Sequence, residues 1–358
     1  MNRFDIYIIR EILKPLAAVL GLLIGLFACF SGARFLAEAV TETMGAAVML
    51  KLVLLRTLIA LEVLLPVALY VSVVIGLGRL HRDQEIIAMR AAGLGRAGVP
   101  NAVLRLAVPV GLVVGLLSLG ARPWAYEASY LLDAEAHSEF NPERLQAGRF
   151  YGNEESGRVI YIQNKEGSGG PMRGTFIFRR KDASSGIILA AEARHRQPDP
   201  HRRAQLHLRD GYLYRFLHDG RADEVVRYEK LVLFLSEPEA AVGYKRKAVS
   251  TGALLAGDSP PEIAELQWRL SRPIATILLA LAAVPLSRST PRQGKHEKMV
   301  AAALVFAVYY NLSGLAQTWV EQGVIGGLPG VWWLHGLMFL AVIGALWPEY
   351  RDALPARK

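Results

Sequence analysis

Apolar residues fill six stretches of this chain: Leu16–Leu36, Leu52–Leu77, Val103–Ala121, Ile263–Leu286, Met299–Val320 and Val331–Trp347. Each approaches the roughly 20 apolar residues that a helix needs to cross a hydrocarbon core. Only a helix satisfies its own backbone inside lipid, so the pattern predicts six transmembrane helices. They fall three and three around a polar insert, Trp124 to Glu262, and divide the chain into residues 1–123, 124–262 and 263–358. Inside the insert the period changes. Arg158–Lys165, Gly174–Lys181, Gly186–Arg194, Gln205–Leu217 and Val225–Leu235 alternate or run apolar between Gly, Pro, Asp and Ser. That predicts an all-β domain, an antiparallel sandwich or jelly roll, with turns at Asp210-Gly211 and Asp219-Gly220. Ser259-Pro260-Pro261-Glu262 offers a cap, a proline at the first helical position and a reciprocal glutamate, so the fourth helix should start at Pro260. From Pro260 to Leu286 it would run about 40 Å, longer than a core of about 30 Å.

Composition agrees with a membrane protein: 52% of the 358 residues are hydrophobic. The net charge of +9 does not gather into one stripe; basic residues flank the apolar runs, which favours a bilayer over nucleic acid. The lone cysteine, Cys29, excludes an internal disulfide or a cysteine-based zinc site. The first apolar run lacks a cleavage signature and reads as a retained helix. Short loops set the orientation. Arg3, Arg10 and Lys14, then Arg79, Arg82, Arg90, Arg96 and Arg105, then Arg288, Arg292, Lys295 and Lys298, then Arg351, Arg357 and Lys358 share one side, whereas Ala37–Leu50 and Glu321–Gly330 hold no Lys or Arg. The expectation is that both termini are cytoplasmic and the insert lies outside. Trp124, Trp268, Trp319, Trp332 and Trp333 then form an outer interfacial belt, with Trp347 at an inner helix end.

Enzyme signatures are absent. There is no complete phosphate loop, no G-x-S-x-G elbow and no H-E-x-x-H pair. His195, His201, His207 and His218 alternate with arginines on expected strands and read as surface or rim residues rather than metal ligands. The inner loop holds a different candidate. Residues 79–93 read as a short helix ended by Gly93, with Arg79, Arg82 and Arg90 on one side and His81, Glu85, Ala88, Met89 and Ala92 on another. It either lies on lipid or docks a partner, the acidic Glu85 favouring docking. Arg34, Lys51, Arg56, Arg122, Arg269 and Arg272 lie toward the outer helix ends. Charges there either snorkel or face a cavity. For Lys51 and Arg122 snorkelling is expected. Arg34, Arg56, Arg269 and Arg272 would suit the phosphates of a lipid, which guanidinium binds in bidentate fashion. Glu62 is left with either Arg56 or a basic partner.

Tyr7-Ile8-Ile9-Arg10-Glu11-Ile12-Leu13-Lys14, Leu77-Gly78-Arg79-Leu80, Glu85-Ile86-Ile87-Ala88-Met89-Arg90-Ala91-Ala92-Gly93-Leu94, Leu266-Gln267-Trp268-Arg269, Val284-Pro285-Leu286 and Pro291-Arg292-Gln293-Gly294-Lys295 occur in that order. Over nearly its whole length the chain resembles the LptF/LptG (YjgP/YjgQ) permease family of the Gram-negative lipopolysaccharide exporter. The last motif favours the LptF branch. The resemblance implies six transmembrane helices with a periplasmic jelly roll between the third and fourth, in the bacterial inner membrane. It implies an LptG-like permease subunit, a dimer of an LptB-like ATPase and an LptC-like periplasmic protein as partners. No cofactor is expected in this chain, since ATP and Mg would be bound by the partner ATPase. Residues 79–93 would be the coupling helix, with Glu85 at the acidic docking position beside His81, Met89 and Arg90. Arg34 would face the lipid cavity; Ser31 stands where Escherichia-type members carry a further basic residue. Ile160, Ile162, Phe176, Phe178, Leu206 and Leu208 would form either an acyl-chain trough or an ordinary sandwich core. The competing readings are a non-transporting membrane scaffold and a permease for another lipid or a lipoprotein.

Overall fold

The computed structural model describes residues 3–41, 46–138, 147–153, 158–167, 170–181, 184–196, 205–217, 223–234, 244–288 and 295–351. The chain forms two compact units. One comprises Met1–Gly32, Leu52–Ser129 and Tyr244–Lys358; the other comprises Ala33–Lys51 and Tyr130–Gly243.

The first unit is helical, while helical residues 33–41, 46–51 and 130–138 fall in the second. In chain order come α1 (Arg3–Thr41), α2 (Ala46–Arg82), the short α3 (Glu85–Ala91), α4 (Gly98–Leu116) and α5 (Arg122–Ser138), then, beyond the strands, α6 (Thr251–Leu255), α7 (Pro260–Leu286), α8 (Lys295–Glu321) and α9 (Trp332–Arg351). Among the described residues, five helices are long and apolar enough to cross a membrane: Arg3–Phe35, Ala46–Arg82, Gly98–Asp133, Pro260–Leu286 and Met299–Glu321. The sixth expected span, α9, is outside that set because His335, Pro348 and Glu349 dilute its apolar run. α7 is the central helix, with 61% of its apolar window buried against 11% for α1. It starts at Pro260 as expected, with the Ser259–Glu262 capping box formed. Close approach of helices relies on small residues. A Cβ on Gly76 would meet the Glu11 carbonyl oxygen at 3.0 Å, and one on Gly111 would meet the Pro273 carbonyl oxygen at 3.2 Å. Gln267 fastens the segment between α8 and α9: its amide donates to the Gly327 carbonyl and accepts from the Val331 N–H, at 2.6 and 3.0 Å.

The inner loop differs from expectation. Residues 79–82 are the end of α2, and Gln84, at φ 58°, breaks the chain before α3 begins at Glu85. A left-handed residue cannot continue a right-handed helix, so one expected helix becomes two at an angle.

The second unit contains β1 (Phe150–Asn153), β2 (Arg158–Lys165), β3 (Met172–Lys181), β4 (Ser184–Arg196), β5 (Gln205–Leu217) and β6 (Glu224–Phe234). Alternation located the strands, but the described ones pair antiparallel in chain order as one six-stranded sheet. This meander replaces the expected jelly roll, whose order needs crossovers. Asp210-Gly211 is not a turn but lies inside β5, while Asp219-Gly220 lies outside the described residues. Asp210 (φ 50°) and Gly174 on β3 (φ 64°) both take left-handed backbone, and strand pairing skips each of them. The alternation shifts phase there: Leu206 and Leu208 are buried before the break and Gly211 after it. Ile160, Ile162, Met172, Ile177, Ala190, Ala193, Leu206 and Leu208 form the core on one face.

Candidate functional site

Charge, rather than a cavity, marks the site in the helical unit. Arg122 opens α5 directly after a π-helical turn, Leu117–Ala121, that joins it to α4. Such turns insert one residue and re-aim the side chains that follow, and they recur at functional sites. The extra residue leaves backbone groups to satisfy, and the Leu119 carbonyl accepts from Thr251 Oγ1 at 2.7 Å. Re-aimed in this way, the Arg122 guanidinium lies between two carboxylates. Its Nε is 3.2 Å from Glu62 on α2, and its Nη1 is 3.1 Å from Glu265 on α7. Glu62 also accepts from the Ser118 hydroxyl at 3.0 Å. One turn along α7 from Glu265, Arg269 is fully buried, with a hydrogen-bond partner on each of its three nitrogens. It donates to Glu265, to the Val249 and Lys247 carbonyls and to the Thr251 hydroxyl, all at 3.0–3.1 Å.

Arg272 is different. It is buried, its guanidinium carbon sits 3.4 Å from the centre of the Trp268 ring, and its Nε is 4.0 Å from Glu62. Its Nε and Nη2 have no hydrogen-bond partner. Near it, Tyr309 and His335 share a hydrogen bond of 3.0 Å. Arg122, Arg269 and Arg272 against Glu62 and Glu265 leave one positive charge over, and the geometry places the surplus on Arg272. Buried guanidinium without a full set of acceptors is costly. An anionic group reaching this place would find charge and donors unspent.

Of the four arginines expected to hold phosphate, the structure thus brings Arg269 and Arg272 together on α7. Arg56 is half-buried on α2, and Arg34 is exposed on α1 among residues grouped with the second unit. Ser31 is buried. Arg122 and Glu265 were missed as site residues. Arg122 was expected to snorkel, yet it answers the question of what pairs with Glu62. The available signal was charge balance: two carboxylates in apolar runs require cations beside them.

At the α2–α3 end, Glu85 is half-buried and its carboxylate accepts from the Tyr7 hydroxyl at 2.5 Å. Met89 is not on an open face with Glu85; together with Ile86 it enters the helical core. His81 lies on α2, its Nδ1 2.8 Å from the Leu77 carbonyl oxygen. Arg90 is part-exposed and faces Glu349 on α9 at 3.9 Å. What α3 leaves open is Ile87, Ala88, Ala91 and Ala92.

In the sheet, the six residues expected to form one apolar path divide between faces. Ile160, Ile162, Leu206 and Leu208 belong to the buried core, whereas Phe176 and Phe178 point the other way. The reason is register: Ile160 pairs with Ile177 and Tyr161 with Phe176, so Phe176 shares its face with Tyr161, Leu189 and Tyr212. A shallow depression of about 360 Å³ opens there, lined by Tyr161, Phe176, Leu189 and Tyr212 beside the break at Gly174 and Asp210. His195 and His207 are half-buried strand residues, and no metal-holding cluster occurs among the described residues.

A protein with several membrane-capable helices, a buried charge network among them and an antiparallel sheet is the class these features define. The family model for the lipopolysaccharide export system permease LptF/LptG matches residues 6–348, and the chain belongs to that family. It is 28% identical to the lipopolysaccharide export system permease protein LptF of Escherichia coli K12, covering 98% of this chain and 96% of the relative. The LptF of Shigella flexneri matches to the same extent.

Proposed function

We propose that this permease extracts lipopolysaccharide from the outer leaflet of the inner membrane and hands it to a periplasmic bridge toward the outer membrane. In this reading it spans the membrane six times with both termini cytoplasmic, and the antiparallel sheet, the larger part of the β domain at residues 124–262, is periplasmic. It works beside an LptG-like permease subunit and an LptC-like periplasmic protein. An LptB-like ATPase dimer binds ATP and Mg, docks at Glu85 on α3 and supplies the force. The observation that carries the reading is Arg272, a buried guanidinium with unpartnered donors. Lipid phosphate takes the Arg272 donors that Glu62, 4.0 Å away, leaves without a hydrogen bond; Arg34 and Arg56 contribute further positive charge. Arg269 acts as the brace that fixes α7 against residues 247–251. Acyl chains pass to the sheet on the Phe176 and Phe178 face, while Ile160, Ile162, Leu206 and Leu208 hold the core.

The test is lipopolysaccharide-stimulated ATP turnover of the complex purified with this chain. Arg272→Gln is expected to lower the stimulation about tenfold or more, in line with loss of a charge-assisted bond, leaving basal turnover intact. Unchanged stimulation would remove the phosphate role. An ATPase that never copurifies would favour a scaffold, and a different lipid in the complex would favour another permease.

A further inference from the structure

Helices α1 and α9 both reach α3 and the elements beside it. From α1, Tyr7 donates to Glu85, and Glu11 pairs with Arg79 at 3.2 Å. From α9, one oxygen of Glu349 pairs with Arg288, just beyond α7, and lies 3.9 Å from Arg90 on α3. Glu349 is buried, and its second oxygen has no hydrogen-bond partner. Its neighbour Tyr350 donates to Asn101 near the start of α4 at 2.9 Å. Leu80, Ile86, Met89, Val284, Val342 and Leu346 share one core cluster, so α2, α3, α7 and α9 are packed as well as paired here.

A buried carboxylate depends on its cations, and the dependence steepens where water is scarce. Glu349 has two such cations on different elements, one tight and one loose. Moving α3 changes the Arg90 separation directly, and the carboxylate's remaining attraction then falls on Arg288. From this geometry we infer that Glu349 is a positioning residue of the transport cycle: it conveys displacement of α3 to the end of α7, the helix that carries Glu265, Arg269 and Arg272. The inference rests on the ATPase-driven permease reading and adds a second route to it. Tyr7 carries the movement of Glu85 to α1, and Glu349 carries it to α7 and α9.

The experiment uses the whole complex copurified with this chain and measures lipopolysaccharide extracted per ATP hydrolysed. Glu349→Gln and Arg90→Gln are each expected to lower that ratio about fivefold, with ATPase content unchanged in both and melting temperature unchanged in Arg90→Gln, whose side chain is 39% exposed. The double variant should be no worse than either alone, because the two residues act as one link. Glu85→Ala serves as the control. If it abolishes extraction while Glu349→Gln and Arg90→Gln leave the ratio at the wild-type value, the inference falls and the permease reading stands. If all three leave it unchanged, both fall. A drop that merely tracks lost ATPase or lowered melting makes Glu349 structural and also overturns it. Should Glu349→Gln fail to fold, the part-exposed Arg90 decides alone, and an unchanged ratio in Arg90→Gln counts against the link.

Discussion

Removing Arg122 tests whether the buried charge network holds the helical unit together. In Arg122→Met the side chain keeps its length and loses its charge, leaving Glu62 and Glu265 in a buried site without their shared cation. Breaking a buried pair costs about 3–5 kcal/mol. Both carboxylates retain something: Glu265 keeps Arg269 at 3.0 Å, and Glu62 keeps the Ser118 hydroxyl at 3.0 Å and Arg272 at 4.0 Å. The expected cost is therefore at the lower end, about 3 kcal/mol. At about 2–4 °C per kcal/mol for a unit of this size, melting should fall by about 6–12 °C. Thermal unfolding of the full-length protein in detergent, followed by far-ultraviolet circular dichroism, measures it. The control is Arg173→Met, which removes the exposed pair with Glu166 at 3.2 Å and should cost at most about 1 kcal/mol. Adding Glu62→Gln to Arg122→Met should restore part of the loss, because it neutralises a stranded carboxylate. An Arg122→Met melt no lower than that of Arg173→Met would refute the network, as would strict additivity with Glu62→Gln.

Arg269→Lys should loosen residues 246–255, because one ammonium cannot serve Glu265, two carbonyls and a hydroxyl together; amide exchange there is expected to rise about tenfold, and an unchanged rate would remove the bracing role. Gly211→Ala should destabilise the sheet by about 1–3 kcal/mol, since its Cβ would collide with the Leu189 carbonyl oxygen and the Tyr228 hydroxyl; limited proteolysis of residues 147–234 that matches the wild type would contradict this. Burial pushes the Tyr228 phenol up to about 12, so the folded form keeps its proton where the unfolded chain loses it. Its stabilisation is complete below about pH 10 and disappears between about pH 10 and 12. Tyr228→Phe should flatten that part of the sheet's stability–pH curve, and a slope as steep as the wild type's would show that other groups cause it.

Helices and strands were legible because each repeats one backbone demand: apolar length for a span, alternation for a strand. The Pro260 start was legible for a related reason, since a capping box is a local contact. What depended on distant pairing was not. Arg122 sits at the end of an apolar run, where snorkelling is the cheaper expectation; only the π turn at Leu117–Ala121 aims it at Glu62 and Glu265. Asp210-Gly211 carries a turn signature, yet its left-handed residue serves a break inside a 13-residue strand. Phe176 and Ile160 look alike in their own strands, and it is the register between β2 and β3 that sends them to opposite faces. At the α2–α3 corner helical spacing puts Glu85 on one small-residue face with His81, Ala88, Met89 and Ala92, but Met89 fills the core and Glu85 accepts from Tyr7.

The most direct measurement is ATP-dependent extraction from proteoliposomes, with the complex copurified with this chain and lipopolysaccharide, phospholipid or a lipoprotein supplied as cargo. Release of lipopolysaccharide alone, abolished by Glu85→Ala and weakened by Arg272→Gln, is the expected result. Release of another cargo in preference, or lipopolysaccharide release indifferent to ATP, would contradict a motor-driven lipopolysaccharide permease.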